Sequence, residues 1–78
     1  ESRYAVFPNP AAESCYVTVQ NDLSTVRAEL LDMTGRTVRT EQFAAGVNTL
    51  NLSGLPPALY ILKLTDDHHI TTMKIIKK

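Results

Sequence analysis

Apolar and polar residues alternate along most of this chain. Cys15, Val17 and Val19 alternate with Tyr16, Thr18 and Gln20, and Val26, Ala28 and Leu30 with Arg27 and Glu29. Val47, Leu50 and Leu52 lie among Asn48, Thr49, Asn51 and Ser53, and Tyr60, Leu62 and Leu64 alternate with Ile61, Lys63 and Thr65. Successive side chains of an extended chain point to opposite faces, so each run predicts a strand with one face buried. The β-branched and aromatic residues that fill these runs favour the pleated backbone. Thr25 to Met33 holds good helix formers in Ala28, Glu29, Leu30 and Leu31. Its β-branched start and the Thr34-Gly35 turn behind it favour a strand.

Turn residues punctuate the runs. Pro8-Asn9-Pro10 has no place in a central strand, because two prolines donate nothing to a ladder. Asn21-Asp22, Asp32 to Arg36 around Gly35, Ala44 to Gly46, Ser53-Gly54 with Pro56-Pro57, and Asp66-Asp67 make the other breaks. Seven strands are predicted, near residues 3–7, 14–20, 25–33, 36–43, 47–53, 58–66 and 68–77. Seven short strands joined by short turns predict an all-β fold: a seven-stranded antiparallel immunoglobulin-like β-sandwich, with residues 1–78 as one domain. The phase assigns Cys15, Val17, Val19, Val26, Leu30, Leu50, Leu52, Tyr60, Leu62 and Leu64 to its core.

Eight Lys and Arg balance eight Asp and Glu among 78 residues, so there is no net charge to draw a polyanion, and nucleic acid is not an expected partner. With 44% hydrophobic and 21% charged residues the balance is that of a folded domain, not a disordered tail. No apolar run approaches the ~20 residues of a membrane-spanning helix. A signal-peptide pattern is missing, and the start at Glu1 predicts a piece cut from a longer secreted protein. The lone Cys15 excludes an internal disulfide and a Cys-rich zinc site. Its phase with Val17 and Val19 predicts a buried, inert thiol.

Candidate chemistry is sparse. Asp66-Asp67-His68-His69 holds metal-ligand types, but neighbours on a strand point opposite ways, and the cluster reads as a polar hairpin. Glu1, Glu13, Asp22, Glu29, Asp32, Glu41, Asp66 and Asp67 suggest no facing pair of the glycosidase kind. Ser14 has no Gly-x-Ser-x-Gly elbow around it. The three glycines fall at separate turns and not in a phosphate-cradling loop. Arg36, Arg39, Lys63, Lys74, Lys77 and Lys78 are interspersed with acids and read as a solvated face. Neither an enzyme nor a bound cofactor or metal is expected.

Four motifs carry a resemblance. They are Val6-Phe7-Pro8-Asn9-Pro10-Ala11, then Leu31-Asp32-Met33-Thr34-Gly35-Arg36-Thr37-Val38, then Leu52-Ser53-Gly54-Leu55-Pro56-Pro57-Ala58-Leu59-Tyr60-Ile61-Leu62, and finally Lys74-Ile75-Ile76-Lys77-Lys78. In this order, from about Tyr4 to Lys78, the chain resembles the type A C-terminal sorting domain of cargo exported by the type IX secretion system of Bacteroidetes. It departs at Ala58, where members commonly carry a glycine able to hold φ > 0.

The resemblance implies a secretion address attached to an upstream cargo domain. It implies passage through the periplasm, recognition by the outer-membrane translocon, and a destination at the cell surface or outside the cell. It also implies removal by a surface sortase that joins the cargo to anionic lipopolysaccharide. The residues it marks for recognition are Gly35, Arg36, Tyr60, Lys74, Ile75, Ile76, Lys77 and Lys78. A terminal strand ending in lysines at the rim of a sandwich predicts an available backbone edge and exposed charges. Two other readings stand beside this one. An immunoglobulin-like adhesion or carbohydrate-binding module needs exposed aromatics, and the chain has no Trp, three Tyr and two Phe. The other reading is a structural module that self-associates through an edge strand.

Overall fold

Alternation becomes seven strands among the residues described in the computed structural model, which are 3–20, 25–67 and 69–78. The predicted Asn21-Asp22 turn and His68 lie outside them. The strands are β1 (Tyr4–Phe7), β2 (Ser14–Val19), β3 (Thr25–Leu31), β4 (Thr37–Ala44), β5 (Gly46–Asn51), β6 (Ala58–Thr65) and β7 (Ile70–Lys77). They form one sheet in the order β1-β2-β5 and another in the order β4-β3-β6-β7. Every neighbouring pair is antiparallel. This is the predicted immunoglobulin-like sandwich. The inward rows supply the core: Cys15, Val17, Val19 and Leu50 from one sheet, and Val26, Ala28, Leu30, Tyr60, Leu62, Leu64 and Ile75 from the other. All ten core residues assigned by phase are buried.

β2 and β6 end one residue short of their predicted ranges, and β3 and β5 end two short, each for a local reason. β3 stops at Leu31 because the Asp32 side chain takes up the backbone N–H groups of the turn that follows. β5 stops at Asn51, whose Oδ1 accepts from Ser53 N, while Leu52 N turns away to donate to Glu13 O. Ala58 is the first residue of β6, paired with Lys77, and no described residue other than glycine has a positive φ. The turn there works without the glycine common in the resembled family.

Between β1 and β2, which pair in the first sheet, the chain reaches across to the second and returns. Phe7 is the last paired residue of β1, and Ala11 bridges Lys77 at the edge of the second sheet before β2 rejoins the first at Ser14. Pro8 and Pro10 suit this crossing because neither has an N–H to leave unpaired. A second tie joins the same segment to the far end of β7. Tyr4 donates its hydroxyl to Asp66 Oδ2 at 2.8 Å, Arg3 Nη1 lies 3.3 Å from the same oxygen, and His69 N donates to Asp66 Oδ1 at 2.9 Å. Desolvation, reinforced by the Asp66 carboxylate, pushes the Tyr4 phenol up to about 12. Burial likewise pushes up the Cys15 thiol, which disfavours the reactive thiolate.

Tyr60 closes the corner before β6 by donating its hydroxyl to Pro56 O at 2.6 Å. This is the tyrosine corner of immunoglobulin-like sandwiches. Tyr60→Phe should keep the ring in the core and lose that bond, lowering stability by about 1–2 kcal/mol. The urea midpoint measures it, and an unchanged midpoint would mean that the corner bond contributes nothing.

Candidate functional site

One end of the four-stranded sheet gathers the motifs. β3 ends there at Leu31, opposite Thr37 of β4 and Ile61 of β6. β6 begins there, where Ala58 pairs with Lys77 and Leu59 with Ile76. The turn from Asp32 to Arg36 and the Leu55-Pro56 corner stand side by side at this end. Between them runs a groove of about 230 Å³, lined mainly by Met33, Val38, Leu55, Pro56, Leu59 and Tyr60, with Asp32 and Arg36 also in its wall. Met33 is 63% exposed, an apolar side chain held in water beside an apolar groove.

Asp32 builds the turn. Its Oδ1 accepts from Thr34 N, Thr34 Oγ1 and Arg36 N at 2.9, 2.6 and 3.0 Å, and its Oδ2 accepts from Arg36 Nε at 3.2 Å. Gly35 has φ +89, the left-handed backbone that lets the turn close. The Thr34 hydroxyl, helped by the Arg36 backbone N–H, holds the Asp32 carboxyl below its ordinary range. A depressed carboxyl stabilises the turn above the ordinary carboxylate pKa and stops doing so as pH falls through the depressed value, so mild acid leaves the turn intact.

β7 divides its residues by parity. Ile75 and Lys77 point inward and are buried, whereas Lys74, Ile76 and Lys78 are exposed. Lys77 therefore departs from the expected row of exposed lysines. It is 8% exposed, with its side chain turned inward and Nζ donating to Lys78 O at 3.4 Å. The outward row continues across the sheet as Lys74 beside Ile61 and Ile76 beside Leu59. Ile76 is 47% exposed. The ion pairs of the described residues use Arg3, Arg27, Arg36, Lys63 and His69, which leaves Lys74 and Lys78 flanking Ile76 without an acidic partner among those residues.

The expected open edge of β7 is closed over this same stretch. Asn9 Nδ2 donates to Lys74 O and Asn9 Oδ1 accepts from Ile76 N, both at 2.9 Å. Ala11 N donates to Ile76 O at 2.7 Å, and Lys78 N donates to Ala11 O at 2.8 Å. Of the residues marked for recognition, Gly35, Arg36, Lys74, Ile76 and Lys78 are exposed at this end, while Tyr60, Ile75 and Lys77 are buried beneath them. Sequence reasoning placed Asn9, Asp32 and Met33 in breaks and motifs but did not mark them for recognition. The signal for Asn9 was its place between two prolines, and for Asp32 its place three residues before Gly35.

A sequence profile for the family described as "Secretion system C-terminal sorting domain" matches residues 5–78. The chain belongs to this family. Curated proteins provide no match. A solved structure with the same fold is that of PorZ, described as an essential bacterial surface component of the type-IX secretion system of human oral-microbiomic Porphyromonas gingivalis. The likeness has a TM-score of 0.77 at 14% identity and covers 96% of this sorting domain. The sorting domain spans 11% of the PorZ chain. The sorting domain is a secretion signal for type IX cargo, which is sent to the cell surface or the extracellular space.

Proposed function

We propose that the secretion machinery reads the sorting domain at the end where its motifs meet, through Lys74, Ile76 and Lys78 together with the Gly35-Arg36 turn and the groove beside it. Tyr60, Ile75 and Lys77 act from beneath by holding these groups in place. The observation that carries this reading is the convergence of four motifs, from Asn9 to Lys78, on one end of one sheet. Two cations without an acidic partner among the described residues, flanking an exposed isoleucine, suit a partner with carboxylates around an apolar hollow. The partner belongs to the outer-membrane translocon and meets the domain in the periplasm. A surface sortase then removes the domain as the cargo is joined to lipopolysaccharide. The domain is cut from a larger protein and performs no catalysis of its own.

Fused behind a reporter with a Sec signal, residues 1–78 should carry it to the surface of a bacterium that has type IX machinery. Surface labelling and cell fractionation read the result. A folded fusion retained in the periplasm would overturn the sorting reading. The Phe7–Tyr16 ring pair, exposed with centroids 5.7 Å apart, would then favour an adhesion module.

A further inference from the structure

The Pro8–Ala11 segment does more than cross between sheets. In an antiparallel strand the N–H and C=O of one residue point to the same side, so even-numbered residues of β7 face its outer edge. Lys74 O, Ile76 N, Ile76 O and Lys78 N are four such groups in succession, and Asn9 and Ala11 satisfy all four. The Asn9 side chain therefore does the work of a strand residue, and it does so 67 positions away from Ile76.

The closing segment does not offer a new edge in turn. Pro8 and Pro10 have no N–H, and proline on an edge blocks further pairing. The outward groups left on β7 are those of Ile70 and Thr72 and the Lys74 N–H, all on the side away from Ile76 and Lys78. Arg3 and Tyr4 hold the other end of β7 through Asp66 and His69. Residues 3–11 thus grip the terminal strand at both ends.

We propose that Asn9 is a positioning residue of the sorting address: it closes the outer edge of β7, so that the machinery reads this strand through its outward side chains and not by adding a strand to it. This rests on the sorting reading above. Closure also fixes the row of Lys74, Ile76 and Lys78 against Ile61 and Leu59, because it prevents the last residues from fraying.

The test compares Asn9→Leu with Asn9→Asp in the reporter fusion and in the 78-residue chain. Leucine keeps the bulk and loses both bonds, whereas aspartate keeps the acceptor for Ile76 N. In Asn9→Leu the Ile76 amide should exchange with solvent about five- to tenfold faster, as expected for one lost hydrogen bond. Its melting midpoint should fall by about 4–11 °C, with the melt still cooperative. Export should fall by a similar factor of about five to ten if presentation controls recognition. Asn9→Asp should lie closer to the parent in both Ile76 protection and export.

Parent-level or higher export from an Asn9→Leu fusion whose Ile76 amide has opened would overturn the proposal, since strand addition would tolerate or favour an open edge. An Ile76 amide that stays protected in Asn9→Leu would overturn it as well. If Asn9→Leu loses its cooperative melt, Asn9→Asp decides alone: a folded variant with Ile76 protected and export near the parent supports the role, and export lost despite that protection overturns it. A parent fusion that is not exported removes the sorting reading itself, and this inference with it.

Discussion

Leu62→Ala should leave most of the domain unfolded under conditions where the parent chain is native. Leu62 is fully buried in β6, between Leu30 of β3 and Met73 of β7 in the sheet register. Truncating it opens a cavity at the centre of the four-stranded sheet, at a cost of about 2–5 kcal/mol. A 78-residue chain with no disulfide has little to spare, because a core of this size rarely supplies more than about 3–5 kcal/mol of net stability. The loss therefore matches the whole reserve. A urea titration followed by far-UV circular dichroism should show the transition shifted close to zero denaturant. An unchanged midpoint would contradict the assignment of Leu62 to the inward face.

The strand phase was legible because period two leaves little freedom. Once Leu62 faces in, Tyr60 and Leu64 must do so too, and the core follows by parity. Lys77 shows where a second rule misleads. Its charge predicts exposure, yet it shares the parity of Ile75, and at the last position of a strand parity wins because the amine finds the Lys78 carbonyl while the stem stays covered. The ends of β3 and β5 were misplaced for a related reason. Asp32 and Asn51 bond to backbone groups a few residues ahead and stop a ladder that the apolar pattern alone would extend.

The closed edge of β7 was not legible. Nothing local to Asn9 points to Ile76, and the bond between them exists only once seven strands have stacked. Pro8 and Pro10 told correctly that the segment leaves the first sheet, but not that it lands on the second. The groove is hidden in the same way: Met33 and Leu55 come from different motifs and meet only through the pairing of β3 with β6. The motifs that carried the resemblance were visible as words. Their common location is a property of the topology.

Charge reversal on the outward row should abolish export without unfolding the domain. The variant is Lys74→Glu with Lys78→Glu. Both lysines are exposed, and neither has an acidic partner among the described residues, so each change should stay within about 0.5 kcal/mol in stability. Lys77 is left in place because its stem is packed and its loss would mix folding with recognition. If the partner presents carboxylates around the hollow that takes Ile76, two like-charge contacts replace two attractive ones, at several kcal/mol in binding, or well over about a hundredfold in affinity. A surface-labelled reporter should then disappear from the cell exterior and accumulate in the periplasm, while the isolated variant keeps its strand spectrum and cooperative melt. The neutral pair Lys74→Gln with Lys78→Gln should fall between, because it removes attraction without adding repulsion. A folded double-glutamate variant exported as well as the parent would show that the terminal row is not what the machinery reads, and the Arg36 turn with its groove would become the surface to alter next.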